Sequence, residues 1–143
     1  AFKEVVKNLT SLKDLEVDFS WCNHMSDNGI GGFVSFKEAV SSMSLLKNLR
    51  LTFNSCSQIS DEHLFQLKEC IESLRSLENL DLDFSYCGGI TDNGIEYLKG
   101  AILAAPALKR LQLDLRGCGK SSEDKINELR DQLSKMKFCD IYS

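Results

Sequence analysis

Two kinds of hydrophobic spacing alternate along the chain, and the alternation repeats four times. In the first kind apolar residues occupy every second position: Leu80, Leu82 and Phe84 on one side, Asp81 and Asp83 on the other. A period of two predicts a strand with one buried face and one wet face. In the second kind the spacing is three or four, as at Ile95, Leu98, Ile102 and Ala105, which forms one stripe along a helix. The same stripe reads Leu64, Leu67, Ile71 and Leu74 one copy earlier, and Ile126, Leu129, Leu133 and Met136 one copy later. The pattern therefore predicts strands near 14–20, 48–54, 79–85 and 110–116, each followed by a helix.

Aligned, the strand segments read L-x-x-L-x-[LV]-x-[FL]-x-x-C and end at Cys22, Cys56, Cys87 and Cys118. A second shared segment, [IM]-[ST]-D-x-x-[IL], follows at 25–30, 59–64 and 90–95, with a weaker version at 121–126. One strand–turn–helix unit cannot bury both its apolar faces, whereas stacked neighbours can. Each strand returns through a helix, so the strands must run parallel. A single core wall of Leu15, Val17, Leu49, Leu51, Leu80, Leu82, Leu111 and Leu113 is expected. Residues 2–9 (Phe2, Val5, Val6, Leu9) look like the helical half of a preceding unit, and 139–142 look like the start of a fifth strand. The whole of 1–143 is then one α/β domain of four repeats with a partial repeat at each end. Neither end carries a polar cap, so the expectation is a piece of a longer chain or of a larger assembly.

These residues resemble leucine-rich repeats, and the turn cysteine with its [IM]-[ST]-D segment is most similar to the cysteine-containing subclass known from F-box-associated repeats. The resemblance implies a ribonuclease-inhibitor-like solenoid, a curved horseshoe segment with parallel strands on the concave face and helices on the convex face. It also implies a non-enzymatic protein-binding scaffold or adaptor, with substrate recognition in a ubiquitin-ligase receptor as an alternative. The chain departs from that subclass in two ways. Four residues, not two, separate the last strand leucine from the cysteine, as between Leu82 and Cys87, and the period is 31 rather than the mid-twenties.

Charge narrows the partner. Seventeen Lys and Arg against 21 Asp and Glu leave a net charge of −4, which disfavours nucleic acid. No apolar run is long enough to span a bilayer, so no membrane partner is expected. No charged-then-apolar leader opens the chain, so a cytoplasmic setting with reduced thiols is expected. Another protein is the remaining partner class.

Candidate chemistry is sparse. The four turn cysteines share one repeat position and are expected to be small buried side chains, with neither metal nor cofactor. Cys22 and His24 could pair as nucleophile and base, the basis of a disfavoured alternative, a cysteine-dependent enzyme. Asp27, Asp61 and Asp92 precede the helical stripes and are expected to cap their own helices. Gly119-Lys120-Ser121 lacks the earlier glycine of a phosphate loop.

The outward strand residues form the richest constellation. They are Asp14, Glu16 and Asp18; Asn48, Arg50 and Thr52; Asn79, Asp81 and Asp83; and Arg110, Gln112 and Asp114. Six acids and two bases give this face −4, equal to the charge of the whole chain. The expected partner is a protein, through a basic segment lying along the strands. Trp21 and Tyr86, each preceding a turn cysteine, are the candidate rim.

Overall fold

The computed structural model describes residues 9–22 and 29–143. In chain order the elements are β1 (Asp14–Asp18), α1 (Gly29–Ser41), β2 (Asn48–Thr52), α2 (Asp61–Ser73), β3 (Asn79–Asp83), α3 (Asp92–Ala104), β4 (Arg110–Asp114), α4 (Glu123–Leu133) and β5 (Phe138–Tyr142). The strands form one sheet in the order β1-β2-β3-β4-β5, with every pair parallel. Register is one-to-one between units. Leu15, Leu49, Leu80, Leu111 and Cys139 form one inward row, and Val17, Leu51, Leu82, Leu113 and Ile141 form the other. The leucines of β2, β3 and β4 are buried under the helix stripes. The inward residues of β1 and β5 are half-buried, because each of those strands has only one paired neighbour. The expected helical segment at 2–8 lies outside the described residues.

Each of the first four strands stops two residues short of its expected end, because the chain turns there. In each turn the cysteine N–H donates to the carbonyl three residues back: Cys22 to Phe19, Cys56 to Phe53, Cys87 to Phe84 and Cys118 to Leu115. The residue before each cysteine has positive φ: 62° at Trp21, 57° at Ser55, 61° at Tyr86 and 73° at Gly117. That left-handed position suits glycine and strains an L side chain by about 1–2 kcal/mol. Inter-unit bonding nevertheless continues through the turn. Phe19 N–H donates to the Thr52 carbonyl at 2.7 Å and Trp21 N–H to the Asn54 carbonyl at 2.9 Å, a pattern repeated one unit along by Phe53 and Ser55.

The turn cysteines bind the units to one another. The thiol of Cys56 donates to the Phe19 carbonyl at 2.9 Å, that of Cys87 to Phe53 at 3.1 Å, and that of Cys118 to Phe84 at 3.2 Å. Each carbonyl thus accepts twice, once from its own turn and once from the next unit. Burial pushes the thiol of Cys87 up to about 12 and that of Cys118 up to about 11, so both remain protonated donors. Behind them Phe19, Phe53 and Phe84 stack with centroids 5.2 and 5.4 Å apart.

The repeated aspartates act differently from expectation. The N-caps are Ser60, Thr91 and Ser122. Asp61 and Asp92 stand at the first helical position, where their charge suits the dipole, but their carboxylates reach into the following unit. Asp61 accepts the Thr91 N–H at 2.8 Å and also its hydroxyl. Asp92 accepts the Ser122 N–H at 2.7 Å and its hydroxyl at 2.9 Å. The start of α2 is therefore fastened to that of α3, and the start of α3 to that of α4. Asp27 lies outside the described residues. His63, which aligns with Gly94, is buried and accepts the Ser60 N–H at Nδ1, 3.2 Å away; burial pushes its pKa down, which keeps the ring neutral.

Gly94 is required by this fastening. A Cβ there would stand 2.4 Å from Asp61 Oδ1 and 2.8 Å from Leu64 Cδ1. Gly94→Ala should gain about 1 kcal/mol in helix propensity yet destabilise the protein overall, because the Asp61 carboxylate must leave Thr91. In an Asp61→Ala background the same change should be better tolerated, and urea unfolding of the double-mutant cycle reads the coupling directly. Leu82, with no exposed surface, tests the core wall: Leu82→Ala should cost about 2–5 kcal/mol in the same assay.

Candidate functional site

The outward strand residues form three rows across the sheet, and the structure gives each row a different task. The first row is Asp14, Asn48, Asn79, Arg110 and Phe138. Asn79 donates its side-chain amide to the Asn48 oxygen, and Asn48 donates to Asp14, so a polar ladder spans three strands. The Arg110 guanidinium lies 4.3 Å from the centroid of the Phe138 ring, a cation–π contact.

The second row is Glu16, Arg50, Asp81, Gln112 and Asp140. Arg50 sits between two acids, 3.6 Å from Glu16 and 3.3 Å from Asp81. Arg50 and Glu16 are well exposed, at 56% and 70% of their side chains, so this chain of ion pairs contributes little to stability. Burial raises the Asp81 pKa above its ordinary 3.8; Arg50 opposes the shift, while Asp83, Glu16 and Asp114 add to it.

The third row is Asp18, Thr52, Asp83, Asp114 and Tyr142. Asp18 is exposed, Asp83 half-buried and Asp114 buried, and all three are bonded by the turns that follow. Asp83 accepts the Ser85 N–H at 2.8 Å and its hydroxyl at 2.5 Å, and Asp18 does the same with Ser20. A carboxylate bonding its own backbone two residues on is a standard turn device. Asp114 is only 8% exposed, and it takes the guanidinium and the N–H of Arg116. Burial works to raise its pKa, but the Arg116 side-chain bond, backbone bond and charge outweigh that and hold it low. The Ser20 hydroxyl and then its N–H hold Asp18 low as well.

The first two rows line an open groove of about 630 Å³, with Asp14, Glu16, Arg50, Asp81, Gln112 and Asp140 on its walls. Asp140, Phe138 and Tyr142 belong to this face although the pattern of four repeats omitted them. Cys139 and Ile141 alternate in register with Leu111 and Leu113 and signal their position. With Asp140 the face holds seven acids and two bases, a net −5.

Trp21 and Tyr86 stand at the far end of the strands, 71% and 62% exposed, on the left-handed turn position. The ring of Tyr86 leans over Gly117, where a Cβ would stand 2.5 Å from Tyr Cδ1. Of the Cys22–His24 pair, His24 lies outside the described residues. All six cysteines are free, and among the described residues no group of three or more His, Cys, Asp or Glu side chains is placed to hold a metal ion. Among those residues no helix is long and apolar enough to cross a membrane.

No protein-family profile matches the chain, and no curated protein matches it. Solved structures do. The chain is similar to Actin-Binding Site 2 of leiomodin-1, with a TM-score of 0.67 and 18% identity over 99% of this chain and 77% of that one. It is likewise similar to the tropomodulin C-terminal domain of Caenorhabditis elegans, with a TM-score of 0.68 and 17% identity over 100% of this chain and 84% of that one. These neighbours overturn the expected membership in the cysteine-containing leucine-rich-repeat, ribonuclease-inhibitor-like class. What stands is an α/β fold with, among the described residues, a five-stranded parallel sheet and four helices. The expected horseshoe solenoid finds no support among them, and neither does the ubiquitin-ligase alternative. The pattern misled because alternating leucines and a small buried turn donor serve any stack of parallel strands.

The rows differ in their acid titration, which NMR of the side-chain carboxyls can read. Asp81 should take up its proton above pH 3.8, whereas Asp18 and Asp114 should do so below it. On acidification Arg50 should therefore lose its Asp81 partner while Asp18 and Asp114 are still charged.

Proposed function

We propose that the chain is a non-enzymatic protein-binding module that takes a segment of a partner protein along the outward face of its strands, as far as the turn that holds Trp21. The observation that carries this reading is Trp21. It is a large aromatic residue, 71% exposed, held at φ 62° where glycine would be unstrained. Both exposure and strain count against the folded state, and such strain is retained where a site uses it. Tryptophan and tyrosine are also the side chains that most often anchor protein interfaces. The face beside it is acidic, so the complementary partner segment is basic. The likeness to a leiomodin-1 actin-binding site supports a protein as partner and makes monomeric actin the first one to test. Six free cysteines suit the reducing cytoplasm.

Binding of labelled monomeric actin, followed by fluorescence anisotropy, tests the reading with two variants. Trp21→Gly removes the anchor and relieves the backbone, so affinity should fall at least about tenfold, or 1.4 kcal/mol, while thermal stability holds or rises. Glu16→Lys, at an exposed position, should slow association and weaken its salt dependence. No saturable binding by the unaltered protein removes actin as the partner. Tight actin binding that neither variant weakens removes the strand face as the site.

A further inference from the structure

A second surface, on the opposite side of the strand starts, has the reverse chemistry. Residues from the C-terminal ends of α3 and α4 and from the starts of β4 and β5 line a groove of about 470 Å³. Its floor is apolar: Leu103, Leu108, Leu133, Met136 and Phe138. Its rim is cationic, formed by Lys109, Lys135 and Lys137, and no acidic side chain lines it. The contrast with the acidic strand face is complete, although the two surfaces share Phe138.

Leu103 is not there to satisfy the repeat. The positions that follow the same stripe residue in the other units are Ser41, Glu72 and Ser134, all polar. Only α3 carries an apolar residue on this outer position, and it is 60% exposed. Nor does α4 cover it, because that helix has 11 residues where the other three have 13. The chain then runs through Lys135 and Lys137 into β5. Lys109 is paired with Glu78 at 3.3 Å, whereas Lys137 lies 5.4 Å from the Phe138 ring centroid, so the rim's positive charge comes chiefly from Lys135 and Lys137.

We propose that this groove binds an acidic amphipathic segment of a partner protein. Apolar residues at i, i+3, i+4 and i+7 of a helical segment would cover Leu103 and Met136, and flanking carboxylates would meet the lysines. Charge complementarity selects this occupant over a basic one, which the rim repels, and over a purely apolar one, which leaves the lysines unused.

The probe is a fluorescein-labelled peptide with Leu at i, i+3, i+4 and i+7 and Glu between, titrated against the full chain. Saturable binding is expected. Leu103→Glu places there the residue type of the preceding unit, Glu72, at an exposed position, so the fold should hold, and it should weaken binding at least tenfold. Lys135→Glu with Lys137→Glu should do the same by removing charge alone, which keeps the test decisive if the leucine variant unfolds. Trp21→Gly should leave peptide binding unchanged, so this groove and the strand face succeed or fail separately. The proposal is overturned by any of four results: no saturable binding; equal binding after the lysine reversals; equal binding of a scrambled peptide with the same composition but no apolar face; or sedimentation showing a dimer that Leu103→Glu turns into a monomer, which would make a second copy of this chain the occupant.

Discussion

The one-to-one register of parallel strands governs everything else in this protein. It places each residue opposite its counterpart one unit away, so like meets like along every row. For leucine and phenylalanine that is favourable, and the inward rows and the stacked rings follow directly. For thiols and carboxylates the same rule would be costly, and the structure answers each case with a bond that crosses between units. The cysteine thiol finds the carbonyl of the preceding turn, and the helix-start aspartate finds the hydroxyl and N–H of the following cap. On the outward face, uniform acids would repel one another across roughly 4.8 Å. The rows are instead broken by Asn48, Arg50 and Gln112, or their acids are tied to their own turns, as at Asp18, Asp83 and Asp114.

Much of the fold was legible in the chain. A period of two marked β1 to β4 and a period of three to four marked the stripes of α2, α3 and α4, and the inward positions were readable because burial there depends only on alternation. The bonds between units were not legible in the same way. An Asp one residue after a Ser or Thr reads as a local helix start, and only the three-dimensional stacking shows that its carboxylate reaches some thirty residues along the chain. The turn cysteine likewise reads as a small hydrophobe until its donor role is seen. The strand ends were overestimated because Phe19, Phe53 and Phe84 keep the alternation going after the backbone has begun to turn.

The candidate site was legible by composition and less so by geometry. Counting outward residues identified the acidic face, but it treated the three rows as equal. Burial takes Asp114 largely out of the free surface and turn bonds engage Asp18 and Asp83, while β5, with an unobvious Cys139 and Ile141 in place of leucines, adds Asp140 to the second row. The basic groove escaped notice because its lysines come from separate segments, and its apolar centre is a single departure from the repeat, at Leu103. The family assignment failed for a related reason: the quoted motif reports on packing, and packing is shared by unrelated stacks.

The left-handed position before each turn cysteine has a wider consequence. Its backbone is set by the turn, its φ is nearly the same in all four units, and its side chain projects away from the core at Trp21 and Tyr86. Any side chain other than glycine pays a similar conformational penalty there, so tryptophan, serine and tyrosine are near equals as far as folding is concerned. The position therefore behaves as a variable site on an invariant frame: recognition can drift from one partner to another by exchanging these side chains alone, while the sheet and its core remain as they are.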